Sequence, residues 1–247
     1  MRVGIMLDEH YTNPKLAEIY DIDSGWSVDR DFYLSLADPS KKLEILDLGC
    51  GTGLLCDAYA ARGHSVTGCD PSKTMLDVAR LKPHGKNIEW VESSAQDFKS
   101  LKSFDLIVMT GHAFQVLLSE EDILIALSNM KRHLKTGGLI VFEARNPAVN
   151  WVECWDYSMS LDTKFGSVEE SRKFLNWDGQ RMSFELVYKF PNETFISKSD
   201  LLFLSKNKIC DLLIASGLVA DSVFGGWDKS PFYPDFSKEM IFFVRHN

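Results

Sequence analysis

Short apolar runs and amphipathic stretches alternate along residues 43–143. Five runs have strand character, at 43–48, 65–69, 88–91, 104–109 and 139–143. Three stretches between them carry apolar residues at helical spacing, at 54–61, 72–79 and 120–134. Strands and helices that alternate with short connections are typical of a parallel sheet with helices on both faces. The pattern therefore predicts a doubly wound α/β fold.

The pattern is different before and after this region. Residues 12–38 predict a helical segment that is interrupted at 23–25. Beyond Pro147, strands are predicted at 171–177, 180–190 and 194–204, then a helix at 206–216 with Ser205 as its N-cap, and strands near 218–225 and 239–245. Asp178-Gly179 between the first two is a strong two-residue hairpin signal. We therefore expect one α/β domain, residues 1–150 and 201–247, with an antiparallel β insertion at 151–200.

Composition narrows the possible partners. The 247 residues are 45% hydrophobic, which suffices for a real core, and carry 27 Lys and Arg against 35 Asp and Glu. The net charge of −8 disfavours nucleic acid and anionic membrane surfaces. Five scattered cysteines without a C-x-x-C pair predict reduced thiols, and the histidines form no metal-binding spacing. The N-terminal apolar stretch is too short for a signal sequence, so we expect a soluble, cytoplasmic protein without a metal.

Three glycines separate the first strand of the alternating region from the helix that follows it. Gly49, Gly51 and Gly53 allow a sharp turn and the close approach of a ligand to the backbone. Asp70, at the end of the second strand, can accept hydrogen bonds from both hydroxyls of a ribose. Together these features favour a nucleoside site over a plain turn with Asp70 as a helix cap. A dinucleotide fingerprint would need glycine where Leu54 stands.

Four motifs in order resemble those of class I S-adenosylmethionine-dependent methyltransferases over roughly residues 40–145. They are Asp47-Leu-Gly-Cys-Gly-Thr-Gly53, Gly68-Cys-Asp70-Pro-Ser72, Phe104-Asp-Leu-Ile-Val108 and Leu134-Lys-Thr-Gly-Gly-Leu-Ile140. The ending, with Gly225-Gly226-Trp227 and Met240–Val244, also resembles the antiparallel hairpin that closes this family's sheet. The resemblance implies a seven-stranded, mostly parallel sheet of order 3-2-1-4-5-7-6, with the antiparallel insertion after strand 5.

The resemblance also implies S-adenosyl-L-methionine as cofactor, with S-adenosyl-L-homocysteine as product, and a set of residues around it. Asp47, Gly49, Cys50, Gly51 and Gly53 would surround the methionine moiety; Asp70, Pro71 and Met75 the ribose and adenine; Ala95, Gln96 and Asp97 the adenine; and Thr110 and Gly111 the sulfonium. Ser94 stands where the family often has an acid, which moves the adenine contact to its neighbours.

Several residues are candidates on the substrate side. His112 follows strand four and is either a general base or a packing residue. Tyr11 and Tyr20 lie in the segment that folds over the cofactor in relatives, as lid, core or substrate-contacting residues. Arg145 either binds a substrate carboxylate or phosphate or pairs with an acid of the insertion. Trp151 and the other insertion aromatics either cap an apolar acceptor or form the insertion's own core or a dimer surface.

The predicted function is methyl transfer from S-adenosylmethionine to an oxygen or nitrogen of a small molecule, by a monomer or homodimer. The chain reads Met-Thr-Gly-His after strand four, which argues against methylation of nucleic-acid amino groups. One alternative is a non-catalytic, cofactor-binding regulatory or partner protein. The other is an NAD-dependent oxidoreductase, which Leu54 and Asp47 disfavour.

Overall fold

Two β-sheets and seven α-helices make up residues 7–247, the part of the chain that the computed structural model describes. Helices α1–α7 are Glu9–Thr12, Pro14–Asp23, Val28–Ser35, Leu54–Ala61, Lys73–Ala79, Glu120–His133 and Lys206–Ala215. Strands β1–β11 are Glu44–Leu48, Ser65–Asp70, Glu89–Glu92, Phe104–Met109, Leu134–Arg145, Tyr157–Thr163, Gly166–Trp177, Arg181–Lys189, Thr194–Leu202, Leu218–Phe224 and Glu239–His246. Residues 1–6, which begin the predicted domain 1–150, lie outside this part.

The larger sheet has the strand order β3-β2-β1-β4-β5-β11-β10. Strands β1 to β5 pair in parallel, whereas β11 runs antiparallel to both β5 and β10. The predicted doubly wound sheet of order 3-2-1-4-5-7-6 is thereby confirmed. In such a sheet, ligands bind beyond the carboxyl ends of the strands where the order reverses. That point lies between β1 and β4.

Local sequence chemistry sets where the helices begin. Asn13, Ser72, Ser119 and Ser205 precede α2, α5, α6 and α7, and each side chain accepts a hydrogen bond from a backbone N–H of the first turn. A cap of this kind stabilises a helix by about 1 kcal/mol. Helix α6 also begins with three acidic residues and ends with three basic ones, which matches the polarity of the helix dipole.

The smaller sheet consists of β6, β7, β8 and β9 in antiparallel order. The predicted turn at Asp178-Gly179 joins β7 to β8, and Gly179 has a φ of 104° that suits glycine. The insertion's aromatics, among them Trp155, Phe184, Phe165 and Trp177, pack into the core of this sheet. Leu16 and Ile19 of α2 belong to the same core. Helix α2 is therefore held against the insertion.

Helix α2 ends at Asp23 and α3 begins at Val28, which confirms the predicted break in the helical segment 12–38. Two other predicted elements differ from the structure. Strand β5 begins at Leu134 rather than 139, because Leu134 already pairs with Phe104 of β4. Strand β6 was missed because its residues are mostly exposed and lack an apolar alternation, and it forms by pairing with β7. The limits 151 and 200 of the insertion stay a prediction.

The part of the chain between residues 7 and 247 contains five free cysteine thiols. Over the same residues, no His, Cys, Asp and Glu side chains are grouped as a metal site would require. None of its helices combines the length and the apolar character that crossing a membrane requires.

Candidate active site

A cavity opens at the carboxyl ends of β1, β2 and β4, beneath the N-terminal helices. It has a volume of about 190 Å³ and is partly open to solvent. Most of the predicted cofactor and lid residues line it: Tyr11, Tyr20, Asp47, Gly49, Cys50, Gly51, Asp70, Pro71, Ala95, Gln96, Thr110 and Gly111. The loops after β1, β2, β3 and β4 thus meet at one site.

The glycine loop between β1 and α4 needs glycine for two physical reasons. Gly49, Gly51 and Gly53 have φ values of 75°, 53° and 75°, in the left-handed region that other residues avoid. A Cβ at Gly53 would also lie 2.5 Å from a ring carbon of Trp90. Gly53 is packed behind the loop and, unlike Gly49 and Gly51, is outside the described cavity lining. Its role is to let the loop close over Trp90.

Asp47 at the end of β1 carries an unusual carboxylate. The residue is 1% exposed, its Oδ2 accepts a long contact from the Cys56 thiol at 3.4 Å, and its Oδ1 has no hydrogen-bond partner among the described residues. Burial raises the pKa of Asp47 to about 7. A buried acceptor without a donor is costly, and it suits a cationic donor that arrives with a ligand.

Asp70 is oriented by the backbone on both sides of it. Its Oδ2 accepts a hydrogen bond from the Gly51 N–H at 2.8 Å, and its Oδ1 accepts one from the Ser72 N–H at 2.8 Å. Burial raises its pKa, whereas these two bonds oppose that effect. Each carboxylate oxygen keeps a lone pair toward the cavity. The arrangement can accept two hydroxyl groups of a ribose.

The predicted adenine contacts are only partly on the cavity wall. Ser94, Ala95 and Gln96 line it, whereas Met75 and Asp97 are outside the described lining. Met75 is fully buried in α5, and Asp97 accepts a hydrogen bond from Ser94 Oγ at 3.0 Å. In the structure, Asp97 thus orients the serine that occupies the place of the family's usual acid.

The N-terminal helices cover the cavity and are tied to the loop beneath. Asp21 at the end of α2 accepts hydrogen bonds from Thr52 of the glycine loop and from Lys82. Tyr11 and Tyr20 line the cavity, and burial raises the pKa of Tyr20 to about 12 and that of Tyr11 well above its usual value. Both phenols are therefore neutral at physiological pH.

His112 is held by two glutamates. Its backbone is left-handed (φ 61°), and its N–H donates to Oε1 of buried Glu143 at 2.6 Å. Tyr33 donates its hydroxyl to the other oxygen of Glu143, whose pKa is raised by burial. The His112 ring places Nε2 2.9 Å from Oε2 of Glu239. Glu143 thus fixes the turn, and Glu239 orients the imidazole.

A second cavity adjoins the first, and His112 and Arg145 both line it. Tyr20, Arg30 and Gly111 line both cavities, so the two spaces share a wall.

Trp151 is outside both described linings. Its indole N–H donates to the Asn146 carbonyl at 2.8 Å, and its ring lies 5.7 Å from the Arg145 guanidinium. The second cavity is mainly polar, and no aromatic residue of the insertion belongs to its described lining.

Sequence reasoning missed four residues that build this site: Arg30, Gln115, Glu143 and Glu239. Arg30 lies in α3, outside every motif, yet it lines both cavities. The one available signal was Glu143, an acid that directly follows the apolar run 139–142 of β5.

Comparison with known proteins agrees with this geometry. A family model described as a methyltransferase domain matches residues 45–138. Cypemycin N-terminal methyltransferase of Streptomyces sp is 34% identical over 104 residues, and ubiquinone biosynthesis O-methyltransferase of Rickettsia canadensis (strain McKiel) is 31% identical over 107. Each match covers 42% of this chain and 42% and 44% of the respective relative, so the chain matches less than half of their length.

A similar solved structure extends the likeness of the fold to nearly the whole chain. It is an S-adenosylmethionine-dependent methyltransferase from Clostridium acetobutylicum ATCC 824, with a TM-score of 0.79, 18% identity, and coverage of 94% of this chain and 98% of the other. The residues of the first cavity fit the same cofactor, because a partnerless buried carboxylate suits its ammonium group and Asp70 suits its ribose. Residues 45–138 therefore match a methyltransferase domain, and the chain shares the fold of a solved S-adenosylmethionine-dependent methyltransferase.

Proposed function

We propose that this chain transfers a methyl group from S-adenosylmethionine to a nitrogen or oxygen atom of a small molecule. The observation that carries the proposal is the shared wall of the two cavities, formed by Tyr20, Arg30 and Gly111. One cavity has the groups that a sulfur nucleoside needs, and the other is open for an acceptor. A regulatory protein that only binds the cofactor has no need of this second space.

Four groups would hold the cofactor. Asp47 would accept from its ammonium group and Asp70 from its ribose hydroxyls. Arg30 would pair with its carboxylate, since the positive charge of Arg30 already acts on Asp47. Ala95 and Gln96 would lie at the adenine. When bound, S-adenosylmethionine supplies an electrophilic methyl group on its sulfonium, so the protein mainly has to align the acceptor and exclude water.

His112 would remove the acceptor's proton when the reacting atom must lose one. His112, the residue after Gly111, lines the second cavity, which we call the acceptor cavity. Glu239 would stabilise the imidazolium that forms when His112 takes the proton. Glu143 does not touch this cavity and acts only by fixing the backbone turn. Tyr11, Tyr20 and the Asp21–Thr52 contact close the lid and keep water from the reacting atoms.

The test is acceptor-dependent formation of S-adenosylhomocysteine. Purified protein with methyl-labelled cofactor and a low-molecular-weight cell extract should transfer label to a small molecule. His112→Asn should retain S-adenosylhomocysteine binding by calorimetry and lose most of that transfer. Binding of the cofactor with no label transferred to any small molecule would contradict the proposal.

A further inference from the structure

The guanidinium of Arg145, at the end of β5, has few hydrogen-bond partners for a partly buried cation. Its one side-chain hydrogen bond among the described residues is from Nη1 to Oε1 of Gln115, at 3.2 Å. No carboxylate of residues 7–247 lies within 4.0 Å of it as an ion pair. Arg145 lines the second cavity, and its other guanidinium N–H groups make no hydrogen bond to the described residues. A charged group left in this state indicates a missing anion.

We infer that the acceptor carries a carboxylate group, which Arg145 binds through its guanidinium. The inference rests on the proposed function and names the substrate class. A planar guanidinium with free parallel N–H groups matches a carboxylate as a bidentate pair.

The surroundings of Arg145 fix its orientation. The guanidinium lies over the rings of Trp151 and Trp155, at 5.7 and 5.2 Å from their centroids. Gln115, itself 1% exposed, accepts from both the backbone and the side chain of Arg145 and donates its amide N–H to the Leu202 carbonyl of β9. Removal from water lowers the pKa of Arg145 to about 10, yet leaves it charged at neutral pH. The cation is therefore positioned in advance, which lowers the cost of binding an anion.

The cofactor's own carboxylate is not the missing partner. Arg145 lines only the acceptor cavity, whereas Arg30 lines both cavities and acts electrostatically on Asp47. The two arginines thus face different anions: Arg30 that of the cofactor and Arg145 that of the acceptor.

The charge balance of the acceptor cavity favours a single negative charge over a phosphoryl group. Asp23 and Asp29 line it together with the two arginines, and Asp29 lies 3.8 Å from Arg30. Glu239, which contacts His112 and acts electrostatically on Arg145, adds a further negative charge beside this cavity, so two charges on a ligand would meet more repulsion than one. Because His112 lines the same cavity, an amino or hydroxy carboxylic acid would present its nucleophile to the base while Arg145 holds the other end.

The experiment uses the complex with S-adenosylhomocysteine and follows the Nε–Hε signal of Arg145 by NMR, assigned from its loss in Arg145→Gln. The probes are matched pairs, glycine with glycinamide and 4-hydroxybenzoate with 4-hydroxybenzamide, and inorganic phosphate at equal ionic strength. Arg172→Gln is the matched control, because the Arg172 guanidinium also lies over the Trp155 ring, 4.3 Å from its centroid, and Arg172 lines neither described cavity.

We expect at least one carboxylate to shift the Arg145 signal saturably, and its amide to need about tenfold or more higher concentration. The control should keep this preference. Arg145→Gln should bind S-adenosylhomocysteine like the wild type in calorimetry. An Arg145 signal that no carboxylate moves, or that the amide moves equally, overturns the inference. Tighter binding of phosphate also overturns it. Loss of S-adenosylhomocysteine binding by the wild type would instead refute the proposed function.

Discussion

Replacing Asp47 by asparagine should stabilise the empty protein and weaken its binding of the cofactor. Both effects have one cause, the buried carboxylate oxygen without a partner. In the empty protein the charge of Asp47 is a liability, whereas in the complex it would face an ammonium group. The amide keeps the shape of the side chain and the contact with Cys56 while removing that charge.

The size of the effect follows from the pKa of Asp47. Raising it from 3.8 to about 7 makes the ionised folded state less favourable by about 4 kcal/mol above pH 7, as an upper bound. Below pH 4 both states are protonated, and there is no cost. Between pH 4 and 7 the unfolded state ionises first, so this group lowers stability as pH rises. The asparagine side chain cannot ionise, so the stability of Asp47→Asn does not include this cost.

Thermal unfolding at pH 8 and near pH 4 measures the difference. We expect a higher Tm for Asp47→Asn at pH 8, by roughly 2–4 °C per kcal/mol for a domain of this size, and a gain that shrinks toward pH 4. In calorimetry the variant should bind S-adenosylhomocysteine about 10–100-fold more weakly, as expected on loss of a charged hydrogen bond. Wild-type affinity should fall as pH drops below about 7, and the variant's should not. A destabilised empty variant, or unchanged affinity, would refute the reasoning.

Three further substitutions test other parts of the site. Asp70→Ala should weaken cofactor binding by about 1–3 kcal/mol through lost buried hydrogen bonds, and unchanged affinity in calorimetry would mean that the ribose lies elsewhere. His112→Ala should lower kcat by about 10²–10⁴-fold with cofactor affinity retained, and unchanged turnover would reduce His112 to a scaffold residue. Gly53→Ala should destabilise more than Gly51→Ala in urea unfolding, because its Cβ would meet Trp90 at 2.5 Å whereas that of Gly51 has open space; equal effects would leave only backbone strain as the cause.

The parts of the site that sequence could predict are those encoded by neighbouring residues. The glycine loop and Asp70 are joined by strand pairing in a regular parallel sheet, since the register of β1 against β2 brings them together. The periodicity of the central strands likewise predicted the sheet. Both predictions rest on patterns of residues that are close together in the sequence.

The parts that sequence could not predict depend on contacts between distant segments. Glu239 and His112 are 127 residues apart, and Tyr33 and Glu143 are 110 apart. No local pattern pairs such residues. Arg30 likewise reaches the site through α3, which is held by Phe32 and Tyr33 in the core against the larger sheet. The aromatic residues of the insertion suggested a role in binding, but most of their rings pack in the core of the insertion itself.

The central claim is that this cavity binds a sulfur nucleoside. Calorimetric titration of the purified protein with S-adenosylmethionine and S-adenosylhomocysteine, with NAD as control, tests it most directly. We predict micromolar or tighter binding of both sulfur nucleosides, about 8 kcal/mol or more of binding free energy, and no binding of NAD. Binding of NAD alone, or of none of the three, would contradict the account.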